Sequence, residues 1–249
     1  MNTITSFLIT TIAGLSTIIG IIPCFFKTNK QDSIISKSLA FSSGVMITIS
    51  LISLIPEATN LLKTIYKPFP AFIICAIFII LGINISTMID ERIEKKLKAN
   101  NLYKLGIITA LVLILHNIPE GVTTFISATS NQQLGLKLAF AIALHNIPEG
   151  ISIAVPIYYA TKRKTKALMY TIIAGFSELF GAIIAYIFLK DLITPFILSI
   201  TLAVTAGIMI DISIYEFLPN SFKYKKNKAT VYYFVLGIII MFLSEFFLF

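Results

Sequence analysis

The sequence predicts an all-α protein that crosses the membrane eight times. Three observations support this prediction: an apolar composition, long hydrophobic stretches, and a scarcity of charged side chains within those stretches. Of the 249 residues, 57% are hydrophobic and 13% are charged, about half the charged share of a soluble domain. We therefore expect a single polytopic unit over residues 1–249, with little chain left for a soluble domain.

The predicted spans follow from length and hydropathy. A helix needs about 20 mostly apolar residues to cross a bilayer. Eight stretches meet this requirement: residues 4–26, 34–57, 69–89, 104–127, 135–159, 166–189, 192–219 and 230–248. The sixth and seventh are separated only by Lys190 and Asp191, so seven spans is the alternative count.

Basic residues set the predicted orientation. If the first loop is cytoplasmic and the loops alternate, sixteen of the twenty Lys and Arg residues fall in cytoplasmic loops. The outer loops hold the other four, Lys63, Lys67, Lys137 and Lys190. The positive-inside rule then places both termini outside. The net charge of +8 is thus explained by orientation, and we expect no nucleic-acid partner.

Spans 2 and 7 share an internal repeat. Residues 43–56 align without gaps with residues 206–219, and Gly, Met, Ser and Pro recur at the same offsets. In the eight-span topology these two spans run in opposite directions. Related spans of opposite direction are typical of inverted repeats that enclose a site at the midplane. We therefore expect spans 1–3 and 6–8 to form an inverted repeat around spans 4 and 5.

A second repeat lies in spans 4 and 5. The heptapeptide Leu-His-Asn-Ile-Pro-Glu-Gly occurs at Leu115–Gly121 and at Leu144–Gly150, and its copies contain both histidines of the chain. In a helix the His and Glu of each copy are four residues apart and share a face. The proline between them cannot donate a backbone hydrogen bond and disfavours a straight helix.

Antiparallel packing of spans 4 and 5 predicts a compact site. It puts His116 level with Glu149, and Glu120 level with His145. His116 lies roughly 18 Å from the cytoplasmic end of its span, at 1.5 Å per residue, so the site is near mid-membrane. No Lys or Arg falls in a span interior to neutralise the carboxylates, which favours a bound cation.

The residue types point to a transition metal. Mixed imidazole and carboxylate ligands suit zinc, iron(II) and related divalent metals, whereas calcium and magnesium prefer all-oxygen sites. A packing role is the alternative for a buried His, but it explains a duplicated His-x-x-x-Glu poorly. Glu178, another mid-span carboxylate, is either a ligand of a second ion or a protonated, hydrogen-bonded side chain.

These motifs resemble the ZIP family of divalent-metal transporters, and most closely its bacterial ZupT-like branch. The resemblance covers essentially the whole chain and rests on the two His-Asn-Ile-Pro-Glu-Gly motifs, the eight spans and the repeat in spans 2 and 7. It implies a homodimer in a prokaryotic inner or plasma membrane. It also implies a binuclear metal centre, with ligands at His116, Asn117, Glu120, His145, Asn146, Glu149 and Glu178.

The same resemblance assigns further expectations. Met46 is expected as a weaker soft ligand or a wall residue. Ser53 stands where similar proteins often carry a carboxylate, whereas its seventh-span counterpart, Glu216, is present. Apart from the resemblance, transport through the site would take ions in past Glu57 and out near Glu216 and Asp211.

Three functions compete at this point. The first is uptake of zinc, and of iron(II) and manganese, into the cytosol by alternating access, with the metal as cargo and no cofactor. The second is an intramembrane metallohydrolase, which needs an open metal position and a general base. The sequence lacks His-Glu-x-x-His, and its two motifs are equivalent, so we expect no enzyme. The third is a metal exporter or proton-coupled exchanger.

Overall fold

All secondary structure is helical in the part of the chain that the computed structural model describes, residues 3–26, 30–96, 101–188, 194–225 and 227–248. Eight helical units there are long and apolar enough to cross a membrane. This confirms eight spans over seven: spans 6 and 7 are separate helices, and Lys190 and Asp191 lie outside the described residues. The predicted position of both termini outside stays a prediction.

Five spans are single α-helices and three are composite. Span 1 is α1 (Thr3–Leu15) and a 3₁₀ segment (Ser16–Phe25); span 2 is α2 (Gln31–Ile49), a π segment (Ser50–Leu54) and α3 (Ile55–Lys63); span 3 is α4 (Pro68–Lys96); span 4 is α5 (Asn101–Ser130); span 5 is α6 (Gln132–Thr161); span 6 is α7 (Lys164–Phe188); span 7 is α8 (Pro195–Asp211), a π segment (Ile212–Phe217) and α9 (Leu218–Tyr224); span 8 is α10 (Lys228–Leu248).

The two π segments lie at matching positions of the repeat in spans 2 and 7. Each precedes a proline, Pro56 or Pro219, near the start of the following helix. Proline has no N–H for the carbonyl four residues earlier, so the α-helical ladder is interrupted just before it. The Ser50 hydroxyl donates to the Met46 carbonyl at 2.8 Å, and the aligned Ser213 donates to Met209 at 2.6 Å.

Spans 2 and 7 also pack against their neighbours in the same way. A β-carbon on Gly44 of span 2 would collide with the Phe234 carbonyl of span 8. A β-carbon on Gly207, the aligned residue of span 7, would collide with the Ile79 carbonyl of span 3. Small residues permit such close approach of transmembrane helices. Span 8 thus packs on span 2 as span 3 packs on span 7.

Burial distinguishes the centre from the periphery. Spans 4 and 5 are the most buried of the eight, and spans 3 and 8 are the least. The exposed side chains of the outer spans include many large apolar residues, such as Phe69, Phe72 and Phe242, as expected of a lipid-facing surface. The two heptapeptides therefore lie in the interior of the bundle.

Candidate metal centre

The two motifs meet between spans 4 and 5 as antiparallel packing predicts. Nε2 of His116 lies 3.0 Å from Oε1 of Glu120 and 3.5 Å from Oε1 of Glu149. Nε2 of His145 lies 3.0 Å from the same Glu120 oxygen. The centroids of the two imidazole rings are 6.3 Å apart. His116 thus neighbours Glu149, and His145 neighbours Glu120, across the helix pair.

Three of these side chains converge closely enough to share one ion. One ligand atom from each of His116, His145 and Glu149 lies within 4.8 Å of the others. Around zinc, nitrogen and oxygen ligands lie about 2.0–2.2 Å from the metal, so opposite ligands are at most about 4.4 Å apart. Small side-chain movements would therefore complete a coordination sphere.

The polar atoms of this cluster lack partners to an unusual degree. Buried polar groups in proteins are nearly always hydrogen-bonded. Here the atoms without a hydrogen-bond partner include Oε2 of Glu120, Nδ1 of His145 and both carboxylate oxygens of Glu149. No Lys or Arg is buried among the described side chains. Buried carboxylate and imidazole atoms without hydrogen-bond partners, and without a buried Lys or Arg, fit a bound cation.

Both asparagines are oriented by backbone carbonyls of other spans. Nδ2 of Asn117 donates to the Ala174 carbonyl of span 6 at 2.9 Å, and Nδ2 of Asn146 donates to the Ala13 carbonyl of span 1 at 3.0 Å. Because the amide N–H groups are engaged, the Oδ1 atom of each asparagine is left without a hydrogen-bond partner. Those oxygens are the atoms that a metal would use.

Glu178 joins the cluster from span 6. Its side chain is fully buried, accepts a hydrogen bond from Asn146 and interacts electrostatically with Glu120 and Glu149. Glycines hold its helix close, since a β-carbon on Gly121 would collide with the Glu178 carbonyl. Span 6 therefore packs tightly against span 4 at this residue. Its role as a ligand of a second ion stays a prediction.

A cavity leads from the surface of the bundle to the cluster. It has a volume of about 580 Å³ and runs along span 2 from Ile52 to the exposed Thr64, beside the loop to span 3. In the predicted orientation this is the outer face. Of the seven predicted ligands, Glu120 and His145 line the cavity and are 7% and 5% exposed. The other five are at 0% and lie behind them.

The remaining acidic residues lie apart from the cluster. Glu57 lines the cavity, as expected for a residue on the entry path, and Glu245 of span 8 lines it too. Asp211 and Glu216 line a separate cavity of about 370 Å³ that also contains Asp90.

Met46 is buried in the apolar core and does not line either of these cavities. Its expected role as a soft ligand stays a prediction.

Sequence reasoning missed the contribution of spans 1 and 2. Span 1 supplies the carbonyl that orients Asn146, and its Gly20 lies against Gly150 of the motif. From span 2, the Ser42 hydroxyl donates to the Pro148 carbonyl at 2.8 Å. The small residues Ala13, Gly14 and Gly20 were the available signal in span 1, whereas nothing in the sequence distinguishes Ser42 from its neighbours.

The fold and this cluster define a class of protein: an integral, multi-pass membrane protein with a candidate metal centre in its interior. The family described as ZIP zinc transporters matches residues 90–245. Two relatives, both named zinc transporter ZupT, come from Clostridium perfringens and Streptococcus mutans. The first is 37% identical, over 98% of this chain and 95% of its own; the second is 37% identical, over 96% of each.

A third protein of that name, from Campylobacter jejuni, is 37% identical over 95% of this chain and 94% of its own. The chain therefore belongs to the ZIP family. Its relatives are named as zinc transporters, which agrees with the first of the three functions considered from the sequence.

Proposed function

We propose that this protein takes zinc up into the cytosol by alternating access, with iron(II) and manganese as further cargo. The observation that carries the proposal is the convergence of His116, His145 and Glu149: one ligand atom from each lies within 4.8 Å of the others, in the buried interior at the end of a cavity. The names of the relatives support zinc as the principal ion. The proposed ligands are His116, Asn117, Glu120, His145, Asn146, Glu149 and Glu178.

The geometry suggests the order of events. An ion in the cavity first meets Glu120 and His145, which are its only predicted ligands on the cavity wall. These replace part of its water shell. His116 and Glu149 lie directly behind. Nε2 of His116 is 3.0 Å from Oε1 of Glu120 and 3.5 Å from Oε1 of Glu149, so transfer of the ion inward needs little movement. Glu178 and the asparagine oxygens would hold a second ion. Release follows when the cavity closes and the opposite face opens.

We also propose that the two halves of the chain form the inverted repeat expected from the sequence. The hydrogen bond from Asn117 to Ala174 and that from Asn146 to Ala13 support it, because they join matching motif positions to spans 6 and 1. The matching π segments of spans 2 and 7 support it as well. The family resemblance implies a homodimer, which in-membrane cross-linking would test.

Reconstituted protein tests the transport proposal. In proteoliposomes holding a zinc-sensitive dye, His145→Ala and Glu149→Ala should each reduce zinc uptake to the level of protein-free liposomes, because each removes a converging ligand. Glu91→Gln, which changes an exposed carboxylate at the end of span 3, is the matched control and should transport normally. Wild-type rates in both site variants would exclude this centre as the zinc pathway. The same assay in everted membrane vesicles separates import from export or exchange.

A further inference from the structure

Positive charge is concentrated in the residues that connect spans 5 and 6, Lys162–Lys166, which we call the basic turn. Four of its five residues are Lys or Arg. Only Lys162 and Arg163 separate α6 from α7, so the four charges lie close together at one end of the bundle. No acidic residue occurs among residues 150–177 on either side of the turn.

Aromatic rings hold the three lysines of the basic turn. The distance from Nζ to the ring centroid is 5.0 Å for Lys162 over Tyr159, 4.4 Å for Lys164 over Phe25 and 4.6 Å for Lys166 over Tyr103. These rings come from spans 5, 1 and 4, at the ends of those spans. Aromatic residues and lysines at span ends are typical of the membrane–water interface. The charges are therefore held at the depth of the lipid headgroups.

The described part of the protein provides no anion for the exposed end of this turn. The side chains of Lys162 and Arg163 are exposed, and neither forms an ion pair with a described residue. Nζ of Lys162 donates instead to Oε1 of Gln31, a neutral group, at 2.6 Å. The first turn of α7 has no acidic residue, so the cations also face the positive end of the helix dipole. Binding of an anion would relieve both repulsions.

An apolar stripe on α7 begins one turn beyond these charges. Its exposed large side chains follow steps of three or four residues, which places them on one face of the helix: Met169, Ile173, Phe176 and Phe180. From Met169 to Phe180 the helix rises about 16 Å, roughly half the 30 Å thickness of the hydrocarbon core. Cations at headgroup depth therefore continue into an apolar face with the length of one leaflet.

We propose that the basic turn and this stripe form a docking site for an anionic phospholipid. Lys162 and Arg163 bind the phosphate, and an acyl chain lies along Met169–Phe180. Anionic lipids are attracted to basic residues next to a span, whereas a zwitterionic headgroup brings a further cation among the four. In the predicted orientation the lipid belongs to the cytoplasmic leaflet. The inference is independent of the proposed transport function.

Native mass spectrometry of the full chain in detergent tests the lipid preference. The wild type should retain one phosphatidylglycerol and retain less phosphatidylcholine at the same concentration. Lys162→Gln/Arg163→Gln should weaken phosphatidylglycerol binding about 30-fold, because each basic residue near an anionic headgroup contributes about five-fold. Lys223→Gln/Lys225→Gln is the matched control, since it removes two exposed lysines at the same end of the bundle, and should bind as the wild type does. Equal weakening in the two double variants would overturn the site.

The wild type alone provides a second decision that does not depend on the folding of any variant. Equal retention of the two lipids, or retention of neither, would refute the proposal. Millimolar inorganic phosphate should leave phosphatidylglycerol bound, because the acyl chain contributes to binding; displacement would indicate a site for free phosphate instead. A lipid-free dimer that Lys162→Gln/Arg163→Gln converts to monomers would assign the surface to a second copy of the chain and would also refute it.

Discussion

The two halves of the candidate metal centre have the same scaffold, but only one of them carries a carboxyl group on its flanking span. On one side Asn117 bonds to a carbonyl of span 6, and on the other Asn146 bonds to a carbonyl of span 1, at 2.9 Å and 3.0 Å. Gly14 of span 1 and Gly175 of span 6 lie against each other. Three residues after each glycine, however, span 6 carries Glu178 and span 1 carries Thr17.

Spans 1 and 6 therefore pack on the centre in the same way, but only span 6 provides a candidate metal ligand. The hydroxyl of Thr17 bonds within its own helix, to the Gly14 carbonyl at 2.8 Å, and offers the cluster no charge. The carboxylate of Glu178 bonds to Asn146 and keeps one oxygen without a partner. A site with two-fold geometry thereby has an additional carboxyl group on one side only. A second ion is expected on the side of Glu178.

The largest expected effect comes from removing that carboxyl group. Glu178→Ala should lower zinc uptake about 100-fold and remove one bound equivalent of zinc, because a proposed buried ligand is lost. Thr17→Ala is the matched change in the other half and should transport within about two-fold of wild type, since its hydroxyl is satisfied locally. Radiolabelled zinc uptake and equilibrium dialysis provide the comparison. Equal losses in the two variants would mean that the halves do not differ in the way described.

The shared scaffold is tested at the two motif glycines. A β-carbon on Gly121 would collide with the Glu178 carbonyl, and one on Gly150 would collide with the Thr17 carbonyl. Gly121→Ala and Gly150→Ala should therefore each destabilise the protein, by about 1–3 kcal/mol of unfolding free energy, in spite of the higher helix propensity of alanine. Denaturant titration in detergent measures this, with the exposed Leu136→Ala as control. A wild-type midpoint for either glycine variant would contradict the matched packing.

The smallest expected effect distinguishes the asparagines. Asn146 donates hydrogen bonds to a carbonyl and to Glu178, whereas Asn117, among the described residues, donates only to a carbonyl. Asn146→Ala should therefore raise the KM for zinc about 10-fold, the lower end of the range for residues that orient ligands, and Asn117→Ala should raise it less. Concentration series of uptake provide both values. A larger increase in KM for Asn117→Ala than for Asn146→Ala would contradict the greater role assigned to Asn146.

The sequence predicted which side chains of the two motifs converge, because ionisable residues are rare in membrane spans. A duplicated His-x-x-x-Glu in antiparallel helices has few arrangements, and the pairing of His116 with Glu149 follows from direction and helical rise alone. The partners of Asn146 and Pro148 could not be found this way. Ala13 and Ser42 are more than 100 positions away along the chain, and small residues occur in every span, so the sequence does not specify which of them touch.

The cavity was also beyond sequence reasoning. Its walls come from five spans, and Glu245 near the end of the chain becomes a neighbour of Glu57 only through the packing of span 8 on span 2. Hydropathy assigns both residues to span ends and gives no distance between them. Glu57 is predicted on the entry path because it is a carboxylate near an outer span end. Glu245 is also a carboxylate near a span end, but the sequence does not indicate that it lines the same cavity.

The π segment of span 2 changes which residues share a side of that span. In an unbroken α-helix, residues eleven apart, such as Met46 and Glu57, point within about 20° of each other. The wider turn at Ser50–Leu54 uses about one additional residue, which rotates everything beyond it by roughly 100°. Met46 accordingly lies in the apolar core while Glu57 lines the cavity. A helical wheel drawn across residue 50, or across residue 212 in span 7, therefore assigns the wrong face to every side chain on its far half.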